Sequence, residues 1–210
     1  MIVMPSTYSP ATIARMFEMV EEFELGSRVV QIVYDCQTPR AAIIKADIEL
    51  FNGVPRHRII ATLDLQRRAG TTRDIFTVMH CWEDANVVQA EGLCVTPTER
   101  NKGLATRLYE ALVLRCGITL MSDFEQYGGG KKLWQKIARE SDQIAVFVLD
   151  TEQGAFWPYD GTRVIYDGGC IPETRIWSAS PDLQCYDVIL IAEEKQRARQ
   201  LMETPAPYRI

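Results

Sequence analysis

The amino-acid sequence predicts an α/β fold with a mixed central sheet and helices on both of its faces. Three observations carry that prediction. Strand-like and helix-like stretches alternate along the chain. Ile144 to Leu149 and Tyr186 to Ala192 are apolar at odd and even positions alike, the pattern of strands covered on both faces. From Ala90 to Leu112, AEGLCVTPTERNKGLATRLYEAL, an apolar run breaks at Pro97 and a glycine-containing loop opens into an amphipathic helix.

Each element has its own warrant. Ser9 and Pro10 read as an N-cap and first helical position, and Ile13, Met16, Phe17, Val20 and Phe23 lie on one face, so a helix is expected over 9–25 with Gly26 as its stop. Val29 to Tyr34 is a short strand. Ala41 to Phe51 fits either a strand or a helix. Arg58 to Leu65 and Asp74 to Trp82 are strands rich in β-branched residues, separated by the turn-like RRAGTT. Val87 to Val95 is the next strand, and the compact polar connection Glu83 to Asn86 makes it an antiparallel hairpin partner of the one before. In the following helix Leu104, Leu108, Ala111 and Leu112 form an apolar stripe, with Arg107 and Glu110 opposite. Ile118 to Ser122 is a short strand. QYGGGKKLWQKIARE reads as a glycine turn running into a helix with Leu133, Ile137 and Ala138 inward. After Ile144 to Leu149 comes Thr151 to Leu183, rich in Gly, Pro, Trp and Tyr and longer than a usual hairpin connection. It is either a substrate-shaping loop or an ordered surface excursion with its own aromatic cluster. Tyr186 to Ala192 leads into a charged helical tail, 193–203.

Composition bounds the function. A chain of 210 residues with 47% hydrophobic content can bury a substantial core. No apolar run approaches the ~20 residues that span a bilayer, and MIVMPSTYSP lacks a basic region followed by a long apolar stretch, so a cytoplasmic protein with no membrane partner is expected. Cys36, Cys81, Cys94, Cys116, Cys170 and Cys185 are scattered without a C-x-x-C pair, which favours free thiols in a reducing compartment. His80 and Cys81 are adjacent rather than at a ligand spacing, and His57 is the other histidine, so no metal is expected. A net charge of −5 argues against nucleic acid as a partner. It suits a cationic substrate, or serves solubility alone.

The strand-to-helix junction is a place to hold phosphate. A helix N-terminus leaves backbone N–H groups without intrahelical partners and carries partial positive charge. Gly103 lets the backbone curl and approach a ligand, and Arg100 and Lys102 put cations at the loop mouth. Thr98 to Thr106 has one glycine, which rules out both G-x-x-x-x-G-K-[ST] and G-x-G-x-x-G. The pattern that does fit is V-x-P-x-x-R-x-x-G-x-A, filled by Val95, Pro97, Arg100, Gly103 and Ala105. It resembles the acyl-CoA pyrophosphate loop of the GNAT superfamily of N-acetyltransferases, whose R/Q-x-x-G-x-G/A also follows a strand and precedes a helix. The resemblance implies a single GNAT-like domain over 1–210 with its core at about 58–192, the N-terminal helix 9–25, the inserted loop 151–183 and the tail 193–203.

It also implies transfer of an acetyl group from acetyl-CoA, the co-substrate, to an amine of a small molecule or a protein. Pyrophosphate would be held by backbone N–H groups of Arg100, Asn101, Lys102, Gly103, Leu104, Ala105 and Thr106, and the thioester by backbone at Leu93, Cys94 and Val95. Family members often carry a general-base glutamate on this strand. Here Glu91 shares strand parity with Leu93 and Val95, and its apolar flanks would raise its pKa. It is equally a solvated strand residue, with Glu83, His80 and Asp123 as further candidates. The family's tyrosine acid, in N-x-x-A-x-x-L-Y, aligns with Tyr127, Gly130, Leu133 and Trp134. Indole cannot act as an acid, so Trp134 is expected in the core. Tyr127, Ser122 or water takes the acid's place, or the thiolate leaves unassisted, or CoA is bound without fast turnover. SDFEQYGGGKKLW after RNKGLATRLYEAL further resembles GNAT-like proteins encoded by bacteriophages. That implies a host protein as a possible target, a binding or inhibitory role as the alternative to acetyl transfer, and the host cytoplasm as location.

Overall fold

Ser9 starts the first helix as its sequence predicts: its hydroxyl accepts a hydrogen bond from the Thr12 N–H at 3.0 Å, and Pro10 occupies the first turn. Helix α1 is Pro10–Met16 and stops there, with the Phe17 N–H bonded to the Ile13 carbonyl. The helix expected over 9–25 is therefore corrected. The second half of that span is strand β2, Glu18–Leu25, paired antiparallel with β3, Arg28–Asp35. The reason lies in Glu21 to Leu25, where Glu22 and Glu24 are exposed and Phe23 and Leu25 half-buried, the period of a strand rather than a helix. A register shift between Met19 and Glu21 sets that alternation.

The computed structural model describes residues 5–66, 86–123, 128–177 and 188–203. The chain divides into two compact units, one of Met1–Gln66 with Ala90–Cys116 and the other of Arg67–Gln89 with Gly117–Ile210. Among the described residues the secondary structure is mixed α/β, with mostly antiparallel strand pairing and few helices.

In the first unit β1, Thr7–Tyr8, pairs with β5, Val54–Gln66, and β4, Arg40–Phe51, pairs with β3 and β5. Ala41 to Phe51 is thus a strand, because both of its edges are occupied. The first part of β4 is fully buried at Ala41, Ala42, Ile43 and Ile44. Val33, Ala42, Ile44 and Ile59 form a core on which Tyr8, Ile13 and Phe17 close, with the Tyr8 and Phe17 rings 5.2 Å apart. This is what α1 contributes: Ile13 and Phe17, four residues apart, fall on the same face. Helix α2, Leu104–Arg115, packs against β2, β4 and β5 and buries the predicted stripe of Leu104, Leu108, Ala111 and Leu112 together with Tyr109 and Val113. On its exposed side Arg107 pairs with Glu21 and lies 4.9 Å over the Phe23 ring.

Strand β6, Val87–Val95, has the predicted bounds. Its first residues, Val87 to Gln89, belong to the second unit and pair in parallel with β7, Thr119–Met121. The other described pairings of that unit are antiparallel: β7 with β10, Val188–Glu194, then β10 with β8, Ile144–Asp150, and β8 with β9, Ala155–Phe156. Strand β8 is buried on both parities, as expected of a central strand, and the segment after β9 bonds along its edge. The Trp157 N–H donates to the Val148 carbonyl at 3.0 Å and the Tyr166 N–H to the Val146 carbonyl at 2.8 Å. Phe147, Leu149, Ile189, Ile191 and Met121 centre this core. Helix α3, Gly128–Glu140, buries Trp134 and Ile137, and its glycines are helical rather than a turn before the helix. Two more helices are found among the described residues of this unit: α4, Glu173–Ile176, and α5, Lys195–Glu203. The expected strand Asp74 to Trp82, residues 83–85 of its connection to β6, and Tyr186 lie outside the described residues.

Candidate functional site

The loop that joins β6 to α2 is built by a short sequence of backbone decisions. Pro97 cannot continue the ladder and opens a 3-10 turn over Pro97–Glu99. The Thr96 N–H still bonds the Ile60 carbonyl at 2.9 Å, so the strand is held up to the edge of the loop. Arg100 is extended, Asn101 is left-handed at φ 63°, and Gly103 is left-handed at φ 75° and forms the N-cap of α2. Glycine is suited to that position because a side chain there is strained, although a Cβ would meet nothing within 4 Å. Having no side chain, Gly103 gives α2 no side-chain cap. The first N–H groups of a 12-residue helix are thus left to a ligand or solvent at its positive end.

Of the two cations expected at the loop mouth, Arg100 and Lys102, the second is held in an ion pair within the loop. Glu99, only 6% exposed, takes the Lys102 ammonium on Oε2 at 2.9 Å, while Arg28 Nη2 from β3 donates to both of its oxygens at 2.9 Å. Hydrogen bonding from Lys102, and then from Arg28, holds the Glu99 carboxyl below its ordinary range in spite of its burial. Arg100 is exposed and donates through Nε to the Val95 carbonyl at 3.3 Å. Sequence reasoning missed Glu99 and Arg28. A weak signal existed, since Glu99 and Lys102 are three residues apart inside the motif.

The residues expected near the thioester lie on β6. Leu93, Cys94 and Val95 are half-buried, and Glu91 is exposed rather than partly desolvated as its apolar neighbours suggested. Ala90 points to the other face, Gly92 has no side chain, and Leu93 is itself only half-buried, so these neighbours do not bury the carboxylate. Asn101, Lys102 and Gly103 are exposed, Leu104 is buried, and Ala105 and Thr106 are half-buried.

Ser122 belongs to the second unit and is 1% exposed. Its hydroxyl accepts from the Leu190 N–H at 3.1 Å and donates to the Asp123 carbonyl at 3.0 Å, which stitches the end of β7 to β10. That occupies the proton an acid would have to give. Trp134 is 1% exposed, a core aromatic as expected. Tyr127, His80 and Glu83 lie outside the described residues, and Asp123 is half-buried. At the end of α2, burial, with the charge of Glu18 next, pushes the Cys116 thiol up to about 11, which disfavours its thiolate.

Among the described residues no cluster of His, Cys, Asp and Glu is placed to hold a metal, and no helix is long and apolar enough to cross a membrane. Comparison with known proteins finds no matching family model, no matching curated protein and no matching solved structure.

Proposed function

We propose that this chain binds acyl-CoA at the β6–α2 loop and transfers an acetyl group from acetyl-CoA to an amine, on a GNAT-like core. The observation that carries the reading is Gly103, a left-handed N-cap without a side chain at the head of a long helix. Such a helix start offers N–H groups and positive partial charge to an anion of pyrophosphate type, and Arg100 adds an exposed guanidinium. The parallel pairing of β6 with β7, with α2 between them in the chain, supports the same reading. In the reaction the amine nitrogen bonds to the thioester carbonyl carbon, the C–S bond breaks, the amine proton passes to a base, and CoA leaves as thiolate or thiol. Exposed Glu91 on β6 is the candidate base, working through solvent.

A second reading has its own support. With Trp134 buried in the core and the Ser122 hydroxyl occupied, neither residue supplies an acid for the leaving thiolate. A protein of this kind binds CoA and engages a partner protein without fast turnover. Mass spectrometry of a panel of amines incubated with acetyl-CoA and the protein separates the two, and is preferable to thiol colorimetry because Cys36 and Cys170 are exposed thiols. Acetylated product that depends on the protein supports the first reading, and a further loss of rate in Glu91→Gln supports the base. CoA binding with no product supports the second.

A further inference from the structure

We propose that Glu99 is a positioning residue: one buried carboxylate, tied to Arg28 on β3 and to Lys102, holds the Arg100–Gly103 turn in the form that receives an anion. The inference rests on the acyl-CoA reading of the loop. Between Glu99 and Lys102 the chain passes through an extended Arg100 and a left-handed Asn101, and Gly103 is left-handed again. Asparagine visits that region more readily than most residues, but an unrestrained loop leaves it for the right-handed or extended basins. The 2.9 Å bond from Lys102 to Glu99 closes the turn across its strained residue. Arg28 in turn fixes the carboxylate to the sheet, with one nitrogen at 2.9 Å from both oxygens. Glu99 itself is 6% exposed, so its rotamer is set by packing as well as by charge. The turn thus has its shape before a ligand arrives, and a ligand that needs that shape pays no population penalty.

A purely electrostatic role predicts the opposite sign for the decisive variant. If Glu99 only adds negative charge beside an anion site, removing the charge tightens anion binding. If it positions the turn, removing it weakens binding even though the local potential becomes more positive. Two variants are measured, with thermal unfolding as a check of folding: Glu99→Gln, which keeps size and loses charge, and Glu99→Asp, which keeps charge and loses reach. In ligand-free protein, amide exchange over Asn101 to Thr106 should quicken about tenfold in both, and their affinity for CoA should fall about tenfold. Unchanged exchange, or CoA bound as tightly or more tightly by Glu99→Gln, overturns the proposal. If the Glu99 variants do not fold, Lys102→Met, which leaves the Arg28 pair intact, must show the same rise in exchange. Should the wild type bind no CoA, the acyl-CoA reading fails, while the exchange measurement still decides whether Glu99 holds the turn.

Discussion

At the level of single residues the loop separates what a motif reveals from what it hides. Gly103 is legible because glycine sits at φ 75° without the steric cost other residues meet there, and an R-x-x-G-x-A spacing announces it. Replacing it with alanine should cost about 1–2 kcal/mol in urea unfolding, and the cost is conformational, since the added Cβ finds open space. Gly103→Glu should weaken CoA binding by at least about 100-fold, because it sets a negative charge at the helix start where the pyrophosphate would lie. Retained affinity in a titration would contradict the loop assignment. Glu99 and Arg28 were not legible, being 71 residues apart in sequence and joined only by the fold. Their ion pair has a pH signature. Lys102, with Arg28, favours the ionised carboxyl in the folded protein, so the stabilisation is present above the unfolded-state pKa of about 4.3 and is lost as pH falls through the lower folded value. The urea midpoints of wild type and Glu99→Gln should therefore differ most near neutrality and converge toward pH 3. A gap that stays constant with pH would mean that Glu99 contributes by packing alone.

Elements were legible where one period dominated. The stripe of α2 and the doubly apolar β8 each admit one reading, and both formed as read. Between Pro10 and Leu25 two periods overlap. Ile13, Phe17, Val20 and Phe23 fit a helix, while Glu21 to Leu25 alternate as a strand, and the conflict is resolved by β3, whose edge β2 completes. A non-local ladder outweighs a local propensity worth a few tenths of a kcal/mol per residue. The acidic outward positions of β2 fit an edge strand, since charge there discourages pairing with another chain. Helix α1, only 7 residues long, depends on its cap and on the packing of Ile13 and Phe17. Ser9→Ala removes the bond to the Thr12 N–H and should lower stability by about 1 kcal/mol. Ser9→Asp should restore most of that loss, and equal destabilisation by both variants would show that the cap is not the reason.

For the chain as a whole, the order of elements from β6 onward was readable where each is separated by a turn or glycine signal, except that β9 and α4 lie unread inside the long Thr151 to Leu183 segment, and the strands between Glu18 and Gln66 were only half anticipated. Their run of neighbouring antiparallel pairs, β2 to β3 to β4 to β5, needs no helix between strands, so it leaves no alternation of periods for a reader to find. Function at this scale comes down to whether the folded protein, and not its unfolded chain, holds acyl-CoA. A ligand that binds only the native state stabilises it by an amount set by its concentration relative to Kd, about 2.7 kcal/mol at a hundredfold excess. For a chain of this length that corresponds to a rise in Tm of about 5–10 °C. Acetyl-CoA should produce such a shift, and S-acetylpantetheine, which lacks the adenosine and its phosphates, should produce much less if the loop supplies the main hold. Gly103→Glu should lose the acetyl-CoA shift while keeping its own two-state transition. Well-folded wild type that shows no shift at millimolar acetyl-CoA would leave the β6–α2 loop as an ordinary strand-to-helix connection, and a shift of equal size with S-acetylpantetheine would move the binding determinant away from Gly103.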